Sequence, residues 1–316
     1  MRIILFGDGP WATRCLTPLR EAGHELAAVV LRAHPTESGL AAAAQSLGVP
    51  TLQPSRVNAP ESIATIAGLR PDVNLSIAYD QIFGSAIRVS AGWFLNVHAG
   101  KLPTYRGRNI INWAIINGET EIGVTVHLVD HGIDTGDILL QRLLPIAWTD
   151  TYGDVLDRVV REIPALVVES LDLIVSRNAQ LRPQGQGGTY FGGRREGDEW
   201  LDWSQSSADV YNKIRGITHP GPGARTMLGD RPVIVWRAAY DPRWPRYRAT
   251  PGEVVGRAPG AGVIVKTGDS TVLLQDVQVD GGPPEIAAWP IGVRLGVDPG
   301  AMLSMLLARA DRLQAR

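Results

Sequence analysis

The sequence predicts an α/β chain with two domains, a mostly parallel sheet domain followed by a small antiparallel barrel. The chain has 316 residues, and single hydrophobic cores usually stop growing near about 250 residues. Short apolar β-like runs alternate with helical stretches through residues 1–175, which is typical of parallel strands joined by crossovers. After residue 197 short Val- and Ile-rich runs follow one another between Gly and Pro, which favours a barrel.

The first domain is predicted from five strands and the helices between them. The strands are expected at residues 2–6, 25–31, 73–78, 93–98 and 123–129, and helical segments at 13–21, 40–47 and 108–117. Residues 151–175 have apolar side chains at helical spacing despite Pro164, so we expect a long helix that covers one face of the sheet.

A change of composition separates the two predicted domains. Residues 177–197 are rich in Gly, Gln and Arg, which is typical of a linker. A helix is expected at residues 207–217, followed by β runs at 233–238, 252–255, 262–266 and 271–279 and by a terminal helix at 301–313. We therefore predict a first domain over 1–180, a linker over 181–203 and a barrel domain over 204–316.

The composition excludes several classes of protein. The chain is 44% apolar with a formal net charge of −1, which argues against a disordered chain or a polybasic nucleic-acid arm. A single cysteine, Cys15, cannot build a disulfide framework or a Cys-rich zinc site. The first apolar run is too short for a signal peptide, and no window approaches the ~18 apolar residues of a membrane span. We expect a soluble, cytoplasmic protein.

Two candidate motifs are weak. Gly7-Asp8-Gly9 follows the first strand, but no acid ends the second strand, as an NAD-binding fold would require. Arg32 leaves an NADP site open, and a tight turn is the preferred interpretation. His127 and His131 are spaced like metal ligands, but on a strand four residues span ~13 Å, so no metal site is predicted.

Residues 95–140 hold the strongest functional pattern. Asn96 and His98 close a strand on the same side, at the carboxyl end of a parallel sheet, where such folds bind ligands. Farther along the chain, Asp130, Asp134 and Asp137 lie among glycines that permit sharp turns. One of these carboxylates can reach His98.

An amide, an imidazole and a carboxylate form a set suited to acyl transfer. Asn96 can donate a hydrogen bond to a developing oxyanion, His98 can move protons, and Asp134 can orient the imidazole and raise its pKa. Because the set has no Ser or Cys nucleophile, we expect direct transfer through a tetrahedral intermediate. The alternative is that these residues only terminate a strand and form turns.

Several linked motifs resemble the folate-dependent formyltransferase family. They are Leu-Asn-Val-His at 95–98, Leu-Pro-x-Tyr-Arg-Gly-Arg at 102–108, Gly-Val-Thr-Val-His at 123–127 and Ile-Asp-Thr-Gly-Asp-Ile at 133–138. The resemblance continues through the linker, with Arg-Arg at 194–195 and Leu-Asp-Trp at 201–203. It implies a Rossmann-like formyltransferase domain followed by an OB-like barrel, and it makes Asn96, His98 and Asp134 the catalytic residues.

The resemblance also implies the formyl donor and its site. The donor would be 10-formyltetrahydrofolate, with the pterin against the segment after the strand at 73–78 and against the loop that carries Asp134. The implied donor-binding residues are Gln81, Ile82, Phe83, Arg108, Asp130, His131, Gly132, Ile133 and Asp134. Backbone groups in such loops suit an amide-rich pterin, although Ile82 and Phe83 could equally be core residues.

The acceptor is expected to be a small amine. Residues 201–316 contain 14 Arg and Lys against 11 Asp and Glu, a weak field for a polyanion such as tRNA. The segment at 31–49 lacks the basic insertion typical of tRNA formyltransferases, and residues 106–113 are more similar to the small-substrate branch. We therefore predict a nucleotide-linked amino sugar, with nucleic acid and membrane partners not expected and a homo-oligomer left open.

Other acceptors and activities stay open at this point. A hydroxyornithine-type amine of a siderophore pathway is the nearest alternative, followed by methionyl-tRNA. Hydrolysis of formyltetrahydrofolate would use the same three residues, and a non-catalytic folate- or nucleotide-binding protein would keep the same fold.

Overall fold

The computed structural model describes residues 1–35 and 39–296, and the helix predicted at 301–313 lies outside them. The chain divides into two compact units. The first unit consists of Met1–Ile110, Glu121–Pro145 and Leu156–Gly193. The second consists of Ile111–Thr120, Ile146–Val155 and the chain from Arg194 onward.

The first unit is built on a seven-stranded sheet with the order β3-β2-β1-β4-β5-β7-β8. The strands of this sheet are β1 (Arg2–Gly7), β2 (Glu25–Leu31), β3 (Thr51–Leu52), β4 (Val73–Ile77), β5 (Trp93–His98), β7 (Glu121–Leu128) and β8 (Ile138–Pro145). Two short strands, β6 (Arg106–Gly107) and β9 (Tyr190–Phe191), form a separate two-stranded ribbon. The pairings from β3 to β5 are parallel, whereas β7 and β8 are antiparallel. The predicted mostly parallel sheet is confirmed.

The helices in chain order before the second sheet are α1 (Gly9–Thr13), α2 (Leu16–Glu21), α3 (Gly39–Ser46), α4 (Pro60–Gly68), α5 (Ser85–Arg88), α6 (Ile110–Ile116) and α7 (Tyr152–Val175). The prediction of a single helix at 13–21 is wrong. A turn closed by the hydrogen bond from the Cys15 amide to the carbonyl of Ala12 separates α1 from α2. Asn109 has φ +54, which is outside the right-handed helical region. The helix α6 therefore begins at Ile110 and not at residue 108, as predicted. α7 contains Pro164, as expected.

Aromatic packing fixes the sheet region beneath the site. Phe83, in the loop after β4, lies 5.3 Å from Phe6 and 4.5 Å from Phe94 between ring centroids. Tyr79 stacks on Phe83 at 5.5 Å. These rings belong to one buried cluster with Ile4, so the loop after β4 is anchored to the sheet by apolar burial.

The second unit contains α8 (Ser207–Ile217) and a six-stranded antiparallel sheet in the order β10-β11-β14-β13-β12, with β15 beside β14. Its strands are β10 (Ala224–Leu228), β11 (Arg231–Ala239), β12 (Val254–Ala258), β13 (Gly262–Lys266), β14 (Thr271–Val279) and β15 (Glu285–Ile286). Leu228, at the end of β10, forms a bridge with Leu295, and Glu253, just before β12, forms a bridge with Arg294. The strands at the two ends of the sheet order thus both contact residues 294–295. The second, antiparallel domain predicted from the sequence is therefore present.

Buried side chains of α8 and the sheet form the core of the second unit. The N-cap of the helix is Ser206, whose hydroxyl accepts from the Asp209 amide, a typical capping contact. Val210 and Ile214 then pack with Trp203, Val235 and Leu274. Within the described residues, no helix combines the length and apolarity that crossing a bilayer requires.

Candidate active site

Two neighbouring strands bring Asn96 and His127 opposite each other. β5 pairs in parallel with β4 and antiparallel with β7. In that register Asn96 faces His127, and their Nδ2 and Nε2 atoms are 3.1 Å apart. Because side chains alternate along a strand, His98 projects to the same side of the sheet as Asn96.

Asp134 lies in the loop between β7 and β8, with its carboxylate aimed at these residues. Its Oδ2 accepts a hydrogen bond from the Gly107 amide at 2.9 Å and lies 3.5 Å from Nδ1 of His98. Its Oδ1 lies 3.4 Å from Nδ2 of Asn96. The structure therefore brings together the amide, imidazole and carboxylate that are far apart in the sequence.

Backbone contacts orient the His98 ring. Nε2 donates to the carbonyl of Tyr105 at 2.7 Å, which leaves Nδ1 on the side of Asp134. A Cβ at Gly100 would collide with the His98 ring and with the Tyr105 carbonyl. Glycine at position 100 thus allows the loop to close over the ring, and a second proton on His98 would sit on Nδ1 beside a carboxylate.

His127 was not among the predicted site residues. Its Nδ1 donates to the carbonyl of Leu128 at 2.8 Å, while Nε2 faces Asn96 and lies 3.5 Å from Oδ1 of Asp134. Strand alternation in β7 indicates only that Thr125 and His127 share a side. The pairing register of β5 with β7, which the sequence does not reveal, is what places His127 beside Asn96.

Burial and charge change the proton affinities of this cluster. Burial lowers the pKa of His98 below its ordinary value, although the Asp134 carboxylate and the Tyr105 carbonyl oppose that change. For Asp134, burial raises the pKa, but the His127 ring, the charge of His98 and the Gly107 amide together hold it at about 2. Asp134 is therefore ionised at neutral pH, and His98 can act as a base.

A cavity of about 540 Å³ opens beside these side chains, within the range of about 300–1,000 Å³ typical of small-molecule sites. Ile82 and Ile133 line it with 70% and 49% of their surfaces exposed. Large exposed apolar side chains at a cavity indicate that a ligand covers them. The cavity wall includes these residues of the predicted set: Asn96, His98, Gln81, Ile82, Phe83, Arg108, Asp130, Gly132, Ile133 and Asp134.

Two of the predicted donor-binding residues, Gln81 and Asp130, have contacts within the fold besides a place on the cavity wall, and a third, His131, lies outside the wall. The Gln81 side chain accepts from the Val57 amide at 2.8 Å, and Asp130 accepts from Gly132 and Thr135 within its own loop. The side chain of His131 is 89% exposed, and the cavity wall passes from Asp130 to Gly132 without it. The structure thus places His131 outside the cavity wall, and its contact with the donor stays a prediction.

Arg32, the residue that left an NADP site open, has structural contacts. Arg32 forms an ion pair with the buried Asp8 at 3.1 Å and donates to the Ala78 carbonyl, so its charge is engaged within the fold. Among residues 1–35 and 39–296, no three His, Cys, Asp or Glu side chains group as metal ligands.

The buried Asp134 carboxylate should control the proton affinity of His98. Since a neighbouring carboxylate favours the protonated imidazole, we expect the pKa of His98 to fall further in Asp134→Asn than in the unmodified protein. Titration of the imidazole signals by NMR from pH 4 to 8, with His98→Ala to assign the signal, measures this. An unchanged or raised pKa in Asp134→Asn would show that the two side chains do not interact in solution.

The fold and the converging amide, imidazole and carboxylate define an α/β enzyme suited to group transfer. The chain belongs to the formyl transferase family: residues 1–171 match the sequence profile of the formyl transferase domain, and residues 195–289 match that of the formyl transferase C-terminal domain. The predicted family and the predicted formyltransferase activity are confirmed.

Sequence relatives cover nearly the whole chain. The methionyl-tRNA formyltransferase of Pelotomaculum thermopropionicum is 33% identical over 290 residues, which is 89% of this chain and 92% of that protein. That of Geobacter sulfurreducens is 33% identical over 291 residues, covering 89% of this chain and 90% of that protein. Both relatives therefore align with both domains.

Solved structures share the fold at lower identity. WlaRD, a sugar 3N-formyl transferase crystallised in the presence of dTDP and 5-N-formyl-THF, has a TM-score of 0.68 and 19% identity and covers 87% of this chain and 97% of its own. The N-formyltransferase from Helicobacter canadensis, in complex with folinic acid and dTDP-3-aminofucose, has a TM-score of 0.67 and 18% identity over 86% of this chain and 98% of its own. HypX from Aquifex aeolicus, with tetrahydrofolic acid, has a TM-score of 0.61 and 20% identity over 88% of this chain and 44% of its own.

Proposed function

We propose that this formyltransferase transfers the formyl group of 10-formyltetrahydrofolate directly to the amino group of methionyl-tRNA, with Asn96, His98 and Asp134 as the catalytic residues. The observation that carries the chemistry is their convergence on one cavity wall, where the Asp134 carboxylate lies 3.4 Å from Nδ2 of Asn96 and 3.5 Å from Nδ1 of His98. The alignment of both domains with methionyl-tRNA formyltransferases supports this acceptor.

Each side chain has a distinct role in the proposal. A carboxamide carries two N–H groups, so Asn96 can keep its contact with His127 and redirect the N–H that makes the long 3.4 Å contact with Asp134 to the oxygen that gains negative charge. His98 takes the amine proton on Nδ1. Asp134, ionised because its pKa is about 2, stabilises the resulting imidazolium.

The cavity fits a folate donor, which supplies the activated formyl carbon. Residues 78–83, 130 and 132–134 line the cavity, and their backbone groups offer donors and acceptors to a pterin, while Ile82 and Ile133 provide apolar contacts on the exposed side. The cavity lies beside Asn96 and His98, so a formyl group held there would face the reacting set.

A nucleotide-linked amino sugar is the second candidate, and surface charge favours it. Four arginines of the second unit are neutralised by acids in ion pairs: Arg231 with Asp280, Arg237 with Asp276, Arg243 with Asp241 and Arg246 with Asp269. Paired charges weaken the field that attracts a polyanion. A small diphosphate-linked amine needs fewer free cations than a tRNA does.

The experiment that tests the proposal is a competition between acceptors. The protein is incubated with 10-formyltetrahydrofolate and either methionyl-tRNA or a dTDP-linked amino sugar, and release of tetrahydrofolate is followed. We expect turnover with methionyl-tRNA to exceed that with the sugar at least 100-fold in kcat/KM, a difference of about 2.7 kcal/mol. Faster transfer to the sugar would establish the second candidate.

Formate release without any acceptor is the outcome expected of a hydrolase. If formate and tetrahydrofolate appear at the same rate with and without both acceptors, the protein hydrolyses the donor and the transferase proposal is refuted. His98→Ala provides the background rate for each measurement.

A further inference from the structure

A segment of the first unit lies across the two loops that hold the catalytic carboxylate. Arg182 exchanges backbone hydrogen bonds with Ile138 at the start of β8, and Tyr190 and Phe191 pair with Arg106 and Gly107. We call residues 182–191 the strap. It therefore connects the loop that contains Asp134 with the loop that contains Gly107.

Within the strap, Gln184 points inward while its neighbours are exposed. Pro183 and Gly185 are exposed, whereas Gln184 is half-buried. Its Nε2 donates to the carbonyls of Asp134 at 2.9 Å and Gly136 at 2.6 Å. Its Oε1 accepts from Nη2 and Nε of Arg106 at 2.6 and 3.1 Å. Both donors and both lone pairs of the carboxamide are thus used.

The backbone held by Gln184 is in an unusual conformation. Asp134 has φ +55, in the left-handed region that residues with a Cβ seldom occupy. Such a conformation persists where the surroundings impose it. Gln184 fixes the Asp134 carbonyl on one side, while the Gly107 amide fixes the carboxylate on the other.

The same carboxamide also holds the partner loop. Arg106 is buried and immediately precedes Gly107, whose amide donates to Oδ2 of Asp134. By accepting from Arg106 and donating to Asp134, Gln184 fixes both members of that hydrogen bond. Loss of Gln184 would allow the carboxylate and the Gly107 amide to move apart.

We propose that Gln184 is a positioning residue for formyl transfer, which acts through Asp134 to hold the carboxylate against His98. The residue lies outside the cavity wall and contacts neither His98 nor Asn96 among the hydrogen bonds of the described residues. The proposal rests on the formyl-transfer chemistry of the site and is independent of which acceptor the protein uses.

Gln184→Glu separates the two halves of this role. A carboxylate can still accept from Arg106 but cannot donate to the carbonyls of Asp134 and Gly136. We expect kcat to fall about 10- to 100-fold, because a misplacement of about 1 Å at the reacting centre can cost about 10²-fold, while KM for 10-formyltetrahydrofolate changes less than threefold. Gln184→Met, which keeps the volume and loses all four bonds, is expected to lose as much. Gln186→Ala, on an exposed strap residue, is the matched control.

A second measurement needs no substrate. The groups that face His98 are Asp134, His127 and the Tyr105 carbonyl. The carboxylate and the carbonyl both favour the protonated ring, and the carboxylate belongs to the residue whose backbone Gln184 holds. We therefore expect NMR titration of His98 to give a lower pKa in Gln184→Met than in the unmodified protein or in Gln186→Ala.

Wild-type kcat and wild-type titration of His98 in a folded Gln184→Met would overturn the proposal. A lower melting temperature with unchanged His98 titration would overturn it equally, because it would assign Gln184 a purely structural role. If the unmodified protein transfers no formyl group to either acceptor, the proposed function fails, whereas the titration still decides whether Gln184 positions Asp134.

Discussion

Replacing Asp134 by Asn should reduce kcat about 10³-fold, within the range associated with loss of acid–base catalysis. The substitution keeps the size of the side chain and removes the charge that stabilises a protonated His98, 3.5 Å away. It also alters the acceptor of the Gly107 amide. Steady-state release of tetrahydrofolate with the preferred acceptor measures the loss.

Binding of the donor should be nearly unaffected by this change, because Asp134 is only one of the residues that line the cavity and Asn keeps its size, whereas the lost charge acts at the reacting centre. Calorimetric titration with tetrahydrofolate should give a Kd within threefold of the unmodified protein. Asp172→Asn, on an exposed position of α7, is the control. Turnover within fivefold of the unmodified protein in Asp134→Asn would remove Asp134 from the mechanism.

Replacing Asn96 by Ala should reduce kcat about 10²- to 10³-fold, the usual effect of deleting one donor to a developing oxyanion. The amide donates where charge appears only in the transition state, so kcat should fall while KM for the donor stays within threefold. Single-turnover quench experiments separate the chemical step from product release. Asn178→Ala, on an exposed residue after α7, is the control.

The Asn96 prediction also distinguishes a chemical role from a packing role. Removing the amide leaves Nε2 of His127 without its partner at 3.1 Å, which would lower stability without affecting the reaction if Asn96 served only to pack. A fall in melting temperature with kcat preserved would therefore contradict the proposed role.

The acceptor illustrates how two kinds of sequence evidence can disagree. The near balance of charge in residues 201–316 and the small-substrate resemblance of residues 106–113 predicted an amino sugar. Relatives that align with 89% of the chain are methionyl-tRNA formyltransferases and favour the other acceptor. The ion pairs of the second unit agree with the charge count, so the disagreement is between surface charge and the similarity of the whole chain to these relatives.

The sequence by itself determined the strand that carries Asn96 and ends at His98, the helix at 207–217 and the change from a parallel to an antiparallel domain, because periodicity and turn residues are local properties. It did not reveal β8, the division of α1 from α2, or the contribution of His127, whose position depends on strand register. Only the tertiary structure decided that the strap reaches the Asp134 loop and that Gln184 uses all of its hydrogen-bonding groups there. Such contacts join residues about 50 positions apart, and chain folding, not local pattern, brings them together.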